Sequence, residues 1–273
     1  MFENYSVLMS VYYKENPVFL KKSIDSIINQ TIQTNDFVIV EDGLLTEELD
    51  AVLEEYAKKY EFIKLIKLPE NHGLGYALNI GLKECKNELV GRMDSDDLSL
   101  PNRFEEELKL FEDNGSLCIC GSSIIEFDSD DEKTNFVKTM PISFKEIKKY
   151  ARRRNPFNHP TVLFKKNAVL KFGGYPETRR GEDLELFTKM VFEDCYSLNI
   201  ETPLLKYRSS FEQLKRRKTK QETKCIIDIA KKNYKSKYIS FFDYFSVVII
   251  QISFRILPTW LIKTIYKRRY KGN

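Results

Sequence analysis

The greatest concentration of chemically useful side chains is the acidic run Asp94-Ser95-Asp96-Asp97. Neighbouring carboxylates repel one another, and burying them is unfavourable unless a cation neutralises their charge. Their oxygen atoms suit Mg²⁺ or Mn²⁺, which proteins commonly hold with one or two carboxylates together with substrate phosphates. The run therefore predicts a divalent-cation site for a phosphorylated substrate. The alternative is a solvated acidic turn that also caps a helix beginning near Pro101.

Two more acidic sites occupy equivalent positions in the chain. Glu41-Asp42-Gly43 follows the β-branched run Phe37–Val40, and the segment from Tyr12 to Glu15 follows the apolar run Tyr5–Val11. Acids are common in turns, so one such site alone has little weight. Because open parallel sheets bind ligands beyond the carboxyl ends of their strands, three acidic strand ends indicate one shared binding site.

The first 100 residues must build the sheet that positions these acids. Apolar runs of strand length alternate there with segments whose apolar residues have one-face helical spacing. Asn16-Pro17 supplies an N-cap and a proline at the first helical position. The predicted strands are Tyr5–Val11, Phe37–Val40, Phe62–Ile66 and Glu88–Met93. Four β-α units in succession predict an α/β fold with a Rossmann-like, mostly parallel central sheet flanked by helices.

The second half of the chain has a different pattern. Leu117–Phe127 resembles a strand that turns in the acidic loop Asp128–Glu132, and Asn158-His159-Pro160 precedes a strand at Thr161–Phe164. Glu182–Asp194 has helical spacing of its apolar residues. The chain contains no internal repeat and no low-complexity segment.

Several strings occur in a diagnostic order: SVLMSVYYKENPVFLKKSIDSIINQT, FVIVEDG, NHGLGYALNIGLKECKNELVGRMDSDDLSLPNRFE, NHPTVLFKK, GGYPE and GEDLELF. Together they resemble the family 2 glycosyltransferases, and most closely the bacterial enzymes that build capsular polysaccharide, exopolysaccharide or O-antigen. The resemblance covers roughly residues 5–210. It implies a GT-A glycosyltransferase domain over residues 1–210, with a nucleotide-binding half of about 1–115 and an acceptor-binding half of about 116–210.

The resemblance implies that the acidic strand ends bind a nucleotide sugar. Asp42 is expected to accept a hydrogen bond from the uracil N–H of a UDP-sugar, because a carboxylate only accepts. Asp96 is expected to coordinate Mn²⁺ or Mg²⁺ at the donor diphosphate, and Asp94 to contact the ribose or the metal shell. The other donor-side residues are Ser10, Tyr12, Glu15 and Arg92, with Arg103 flanking the same site. For the two arginines, a salt bridge that neutralises the aspartates is an equal alternative.

The acceptor side is also assigned by the resemblance. Asp183, in the pair Glu182-Asp183, is the expected general base, which takes the proton of the acceptor hydroxyl as that oxygen attacks the anomeric carbon. One displacement with one base inverts the anomeric centre. Glu182 and His159 are candidates for contact with the acceptor. The alternative is structural, because acids at a helix start complement the helix dipole and a lone histidine commonly packs in a core.

Charge divides the chain into an acidic body and a basic tail. Residues 206–273 hold 18 Lys/Arg and 4 Asp/Glu, whereas residues 1–205 hold 26 Lys/Arg and 36 Asp/Glu. Within the tail, the apolar run Tyr238–Phe254 is bordered by basic residues, which on its far side are Lys263, Lys267, Arg268, Arg269 and Lys271. This pattern favours one or two helices at an anionic membrane surface over a nucleic-acid interface. The alternative is a helix packed on the core or on a partner subunit.

We therefore expect residues 211–273 to form a basic and apolar helical extension that associates with a membrane. A span needs about 20 mostly apolar residues, so this run favours peripheral attachment. Five cysteines without a C-x-x-C pair indicate reduced thiols, and the N-terminus lacks the basic segment of a secretory signal. The expected location is the cytoplasmic face of the inner or plasma membrane, where the resemblance implies a polyprenyl-diphosphate-linked saccharide acceptor.

Three functions are compatible with these patterns. The resemblance predicts an inverting, metal-dependent glycosyltransferase in bacterial surface polysaccharide biosynthesis. A nucleotidyltransferase also combines an α/β nucleotide fold with metal-binding acids, but it would usually have a phosphate loop rich in Gly, Arg and Lys, which the segment SVYYKENP lacks. A non-catalytic, membrane-associated nucleotide-binding module would leave the acids without a catalytic role.

Overall fold

The computed structural model of the chain describes residues 3–128, 135–178, 180–210, 217–262 and 264. Most of the predicted loop Asp128–Glu132 lies outside these ranges, as do the five basic residues of the tail from Lys263 to Lys271.

The first half of the sheet is the predicted parallel β-α array. Its strands are β1 (Tyr5–Val11), β2 (Asp36–Glu41), β3 (Ile63–Lys67) and β4 (Leu89–Asp94), connected by the helices α1 (Pro17–Ile28), α2 (Glu47–Lys59) and α3 (Leu74–Glu84). β1 lies between β2 and β4, β3 is outside β2, and all three pairings are parallel. The predicted cap of α1 is confirmed, because the Asn16 side chain accepts a hydrogen bond from the Val18 N–H.

The second half of the sheet contains strands of both directions. Its strands are β5 (Leu98–Ser99), β6 (Ile119–Asp128), β7 (Asn135–Lys138), β8 (Leu163–Lys165) and β9 (Ser197–Ser209). Its helices are α4 (Arg103–Asp113), α5 (Phe144–Ala151), α6 (Lys166–Lys171) and α7 (Glu182–Phe192), with a 3₁₀ turn at His159–Thr161. Because β8 pairs antiparallel with β4, one sheet runs in the order β3-β2-β1-β4-β8-β6-β9-β5, and β7 pairs with β6.

β9 is a long strand that the sequence did not predict. It runs parallel to β6, with irregular register between Ser122 and Ile124. Its sequence, SLNIETPLLKYRS, contains Pro203 and has no steady alternation of apolar and polar residues. A bulge and a proline interrupt the two-residue alternation by which a strand is recognised, so the sequence pattern did not predict β9.

Two apolar cores lie on opposite faces of the sheet. One face packs side chains such as Val7 and Met9 of β1 against α1, α2 and α4. The other packs Leu8 of β1 and Val38 and Val40 of β2 against α3, α5 and α7. The alternation along β1 thus sends successive apolar residues to different helices, as expected for a sheet covered on both faces.

The tail begins with two helices, α8 (Lys220–Lys235) and α9 (Phe241–Ile256). Between them, Ile239 is buried in the second core, and the Tyr238 ring stacks on Phe192 with centroids 5.2 Å apart. The predicted helical extension is confirmed, and its first part packs on the body. Among the described residues, no helix combines the length and the apolar character that crossing a membrane requires.

Arg103 supports the end of β4 from inside the core. Its guanidinium is fully buried, with Nε donating to Glu107 Oε1 at 3.0 Å and Nη2 donating to the Arg92 carbonyl oxygen at 2.9 Å. The salt-bridge alternative therefore applies to Arg103, although its partner is Glu107 and not the aspartate run.

We expect Arg103→Met to lower the free energy of unfolding by about 3–5 kcal/mol, because Glu107 would remain buried without its counter-charge. Urea denaturation measures this loss. The double variant Arg103→Met/Glu107→Leu removes both charges and should recover most of the stability. A single variant as stable as the native chain would contradict this account of the pair.

Candidate active site

The carboxyl ends of β1, β2 and β4 lie side by side, as the sequence predicted. Ser10, near the end of β1, is in register with Val40 on one side and with Asp94 on the other. The Asp42 N–H donates to the Val11 carbonyl oxygen at 2.8 Å. Parallel pairing thus gathers the predicted donor-side residues at a single sheet edge.

The aspartate run forms a compact acidic turn. Asp94, Asp96 and Asp97 each offer a carboxylate oxygen, and these atoms lie within 4.8 Å of one another. Burial, reinforced by the charges of Asp94 and Glu15, raises the pKa of Asp96 to about 7. The buried Asp97 accepts from the Arg208 N–H at 2.7 Å through Oδ1, while its Oδ2 has no hydrogen-bond partner among the described residues. An unsatisfied buried oxygen beside two further carboxylates fits a bound divalent cation.

Glu15 connects the loop after β1 to this acidic turn. The Ser95 hydroxyl donates to Glu15 Oε2 at 2.5 Å, and the Asn16 N–H donates to Oε1 at 2.8 Å. The Glu15 N–H donates in turn to the Tyr12 carbonyl oxygen, which closes the loop. Tyr12 itself is partly exposed at the rim. The structure therefore brings Tyr12 and Glu15 to the predicted site.

Asp42 already has a structural role in the protein. Its carboxylate accepts from Asn71 Nδ2 at 2.8 Å, from the His72 N–H at 2.9 Å and from the Gly73 N–H at 3.0 Å. These three bonds fix the loop that leads into α3, and Gly73 adopts a φ of 95°, which favours glycine. Each carboxylate oxygen can accept more than one hydrogen bond, so this network leaves room for the uracil contact predicted from the sequence.

Arg92 supplies positive charge to the acidic groups of the site. Its buried guanidinium forms an ion pair with Asp94 through Nη2, whereas Nε and Nη1 have no hydrogen-bond partner among the described residues. The positive charge of Arg92 also lowers the pKa values of Glu182 and Asp183, against the effect of burial. The positive charge of Arg92 therefore acts both on the acidic turn and on the acidic pair at the start of α7.

The pair Glu182-Asp183 lies in the first turn of α7. Asp183 Oδ2 accepts from Asn155 Nδ2 at 2.6 Å, and Oδ1 accepts from the Leu184 N–H at 2.7 Å. Burial raises the pKa of Asp183, and burial together with Asp183 raises the pKa of Glu182 to about 7. A carboxylate whose pKa is raised in this way suits proton abstraction near neutral pH.

The acidic pair also borders the loop held by Asp42. A Cβ atom at Gly75 would lie 2.6 Å from the Pro176 carbonyl oxygen and 3.3 Å from Glu182 Cβ. The starts of α3 and α7 therefore pack closely together. The loop that Asp42 binds and the first turn of α7, which contains Glu182, are therefore adjacent.

His159 is buried in an aromatic setting. Its Nε2 lies 3.1 Å from the Tyr175 hydroxyl, and its ring is 5.5 Å from that of Phe187. Burial and the nearby Arg92 lower the pKa of His159 well below its usual value, so the imidazole is neutral. Its position supports the structural alternative, and contact with an acceptor stays a prediction.

A cavity of about 730 Å³ adjoins the site between the body and α8. The loop held by Asp42 forms one wall, and Glu185, one turn after Glu182 on α7, forms another. Its lining combines amide, hydroxyl, carboxylate and cationic groups. The lining residues are Asn71, His72, Gly73, Thr178, Arg180, Glu185, Gln221, Lys224, Cys225, Asp228, Ile229 and Lys232.

Two asparagines at the site were missed by the sequence analysis. Asn71 binds Asp42, and Asn155 binds Asp183. Asn71 opens the string NHGLGYALNIGLKECKNELVGRMDSDDLSLPNRFE, and Asn155 lies three residues before the string NHPTVLFKK. Their partners, however, are 29 and 28 residues away. Proximity to a motif was the available signal, and only the fold identifies the partner.

Comparisons with known proteins identify the family of the chain. A family model described as Glycosyl transferase family 2 matches residues 6–175. The chain is 38% identical to an Escherichia coli protein named UDP-Gal:alpha-D-GlcNAc-diphosphoundecaprenol beta-1,3-galactosyltransferase, over 97% of this chain and 95% of the relative. It is 31% identical to the amylovoran biosynthesis glycosyltransferase AmsE of Erwinia amylovora, over 98% of this chain and 100% of the relative.

Solved structures confirm the GT-A-like fold. S. aureus TarS 1-349 in complex with UDP-GlcNAc matches with a TM-score of 0.61 and 18% identity, over 76% of this chain and 58% of that one. The mannosyltransferase PcManGT from Pyrobaculum calidifontis, in complex with GDP-Man and Mn²⁺, matches with a TM-score of 0.58 and 17% identity, over 80% and 61%. The chain spans less than two thirds of both, and these identities establish the fold alone.

We expect Asp42→Asn to destabilise the protein by about 1–3 kcal/mol, because an amide nitrogen would replace an oxygen that accepts a hydrogen bond from the loop leading into α3. The free energy of unfolding in urea measures this change. The exposed Asp113 offers a matched control, since Asp113→Asn should have almost no effect. Equal stability of the two variants would remove the structural role assigned to Asp42.

Proposed function

The chain belongs to glycosyl transferase family 2, and from that premise we propose that it transfers a sugar from a UDP-sugar to a polyprenyl-diphosphate-linked saccharide. The observation that carries this proposal is that the buried guanidinium of Arg92 forms an ion pair with Asp94 of the acidic turn, while its charge also lowers the pKa values of Glu182 and Asp183. Donor and acceptor are supported by the name of the Escherichia coli relative, which specifies UDP-Gal and GlcNAc-diphosphoundecaprenol. As a family 2 glycosyltransferase the chain is an enzyme, which disfavours the nucleotidyltransferase and the non-catalytic module.

The donor would lie along the edge formed by β1, β2 and β4. Asp42 would accept the uracil N–H, while Ser10, Tyr12 and Glu15 would line the nucleotide and Asp94 would reach the ribose or the metal shell. Asp96, with Asp94 and Asp97 beside it, would hold Mn²⁺ or Mg²⁺. When bound there, the cation would neutralise the diphosphate of the departing nucleotide. Arg92 adds a fixed positive charge to the same region.

Asp183 would act as the general base. The acceptor hydroxyl oxygen forms a bond to the anomeric carbon, its proton passes to Asp183, and the bond from that carbon to the nucleoside diphosphate oxygen breaks. Attack opposite the leaving group inverts the anomeric centre. Asp183 must be deprotonated to act, so kcat should fall as pH drops through its pKa, which burial raises. Glu182 and His159 would border the acceptor.

Two variants should separate metal binding from proton transfer. Asp96→Asn should weaken Mn²⁺-dependent UDP binding by about 10–100-fold, because one cation ligand is lost. Asp183→Asn should leave that binding almost unchanged and lower kcat by about 10²–10⁴-fold, because the base is lost. Isothermal titration and product formation measure the two effects.

The control for both variants is Asp113→Asn, which changes an exposed carboxylate on α4. It should retain native binding and turnover. Near-native turnover of Asp183→Asn would refute the assignment of the base, and binding that is independent of Mn²⁺ would refute the cation site.

We further propose that residues 211–273 attach the enzyme to an anionic membrane. α9 has an exposed apolar stripe at three- and four-residue spacing, on which Phe242 is 77% and Ile256 is 76% exposed. The stripe comprises Phe242, Phe245, Ile249, Ile252 and Ile256. The net positive charge of the tail would add attraction to anionic lipid. Peripheral attachment at the cytoplasmic face is supported by the five free cysteines, which suit a reducing compartment.

Phe242→Asp should weaken binding to vesicles of mixed neutral and anionic lipid by about tenfold or more, because an apolar anchor is replaced by a charge that anionic lipid repels. Co-sedimentation measures the bound fraction. Leu170→Asp, at an exposed apolar residue on α6, is the matched control and should bind normally. An equal loss in both variants, or in neither, would contradict attachment through α9.

A further inference from the structure

The loop after α5 contacts two distant parts of the molecule within the four residues from Arg152 to Asn155. Arg153 Nε donates to Asp243 Oδ1 at 2.8 Å, and Arg152 Nη1 lies 4.0 Å from Asp243 Oδ2. Two residues later, Asn155 Nδ2 donates to Asp183 Oδ2 at 2.6 Å. The loop therefore lies between helix α9 of the tail and the acidic pair of the candidate active site.

Both the oxygen and the nitrogen of the Asn155 side-chain amide form hydrogen bonds. Its Oδ1 accepts from the Phe157 N–H at 3.3 Å, which orients Nδ2 towards Asp183. The neighbouring Pro156 carbonyl oxygen accepts from Asn199 Nδ2 at 3.1 Å, and the buried Phe157 ring packs against Phe187. The loop is thus fixed to β9 and α7 on its catalytic side.

Asp243 fixes the other side of the loop. It is buried near the start of α9, where it accepts from the Ser240 hydroxyl at 2.8 Å in a capping box. The same carboxylate binds Arg153. The ion pair therefore attaches the loop to the first turn of the helix that carries the exposed apolar stripe.

We propose that Asn155 is a positioning residue for the Asp183 carboxylate, and that the Arg153–Asp243 ion pair couples this contact to helix α9. This inference rests on the proposed role of Asp183 as the base. With Asn155 on Oδ2 and the Leu184 N–H on Oδ1, both carboxylate oxygens have a fixed direction. Each oxygen retains a lone pair that can take the acceptor proton.

The amide also stabilises the charged form of the base, since it donates to the carboxylate. The other groups that face Asp183 remain in place when Asn155 is replaced. They are Arg92 and Asp94 on β4, Lys138 on β7, Glu182 on α7 and Tyr175. A change in the pH profile after substitution would therefore report the amide itself.

The test compares steady-state kinetics of the full chain with Asn155→Ala and Asn155→Ser, neither of which can reach Asp183 with an N–H donor. We expect kcat to fall by about 10²-fold, as for a misplaced catalytic group, with the KM for the nucleotide sugar unchanged. The acid limb of the kcat profile should move to higher pH, because the carboxylate loses a stabilising donor. A purely structural role would lower the amount of folded enzyme without moving that limb.

Coupling to α9 is tested by Arg153→Met against Arg153→Lys. Loss of this partly exposed ion pair should lower kcat by about fivefold, and the lysine, which can still pair with Asp243, should restore most of it. Native kcat in Arg153→Met would overturn the coupling. Native kcat and an unshifted pH profile in folded Asn155→Ala or Asn155→Ser would overturn the positioning role. Activity in Asp183→Asn would instead remove the proposed base, so the two failures are distinguishable.

Discussion

The burial of several carboxylates close to one another is the constraint on which the rest of this structure depends. The carboxylate oxygens of Asp94, Asp96 and Asp97 lie within 4.8 Å of one another, and the charge of Asp94 also raises the pKa values of Glu182 and Asp183. Arg92 forms an ion pair with Asp94, and Arg208 donates its backbone N–H to the Asp97 carboxylate and its Nε to the Asp96 carbonyl oxygen. Burial raises the pKa values of the remaining acids. Such an arrangement is unfavourable by itself, and a divalent cation would relieve it and could then hold the phosphates of a substrate.

Strand pairing and helix packing together bring these acidic groups to one place. Parallel pairing of β1, β2 and β4 brings the loops that follow these strands to one edge of the sheet. Because β8 is antiparallel to β4, the turn at His159, which precedes β8, lies at the same edge, near Arg92. The buried Arg103 guanidinium donates a hydrogen bond to the Arg92 carbonyl oxygen, which fixes the position of the end of β4. The close approach at Gly75 then brings the start of α7 against α3. Each acidic group is thus held by a different element, so no local segment determines the site alone.

The first half of the fold follows from the sequence because local signals there agree with one another. Asn16-Pro17 caps α1 and the β-branched run of β2 is buried throughout, as their types require. The second half depends on contacts that local pattern does not encode. β9 pairs with β6 across a bulge, and Asp97 bonds to the backbone of Arg208, 111 residues away. The same holds for the candidate site. The sequence motifs identified its acids, whereas only the fold shows that Asn71 binds Asp42 and that Asn155 binds Asp183.

The most direct test of the account is the anomalous X-ray signal of Mn²⁺ in crystals grown with UDP. We expect one Mn²⁺ peak within coordination distance of the Asp96 carboxylate, with the UDP diphosphate between the Mn²⁺ and Asp183 and the uracil at Asp42. UDP bound without Mn²⁺ at Asp96, or bound at a surface that does not include Asp42 and Asp183, would contradict it.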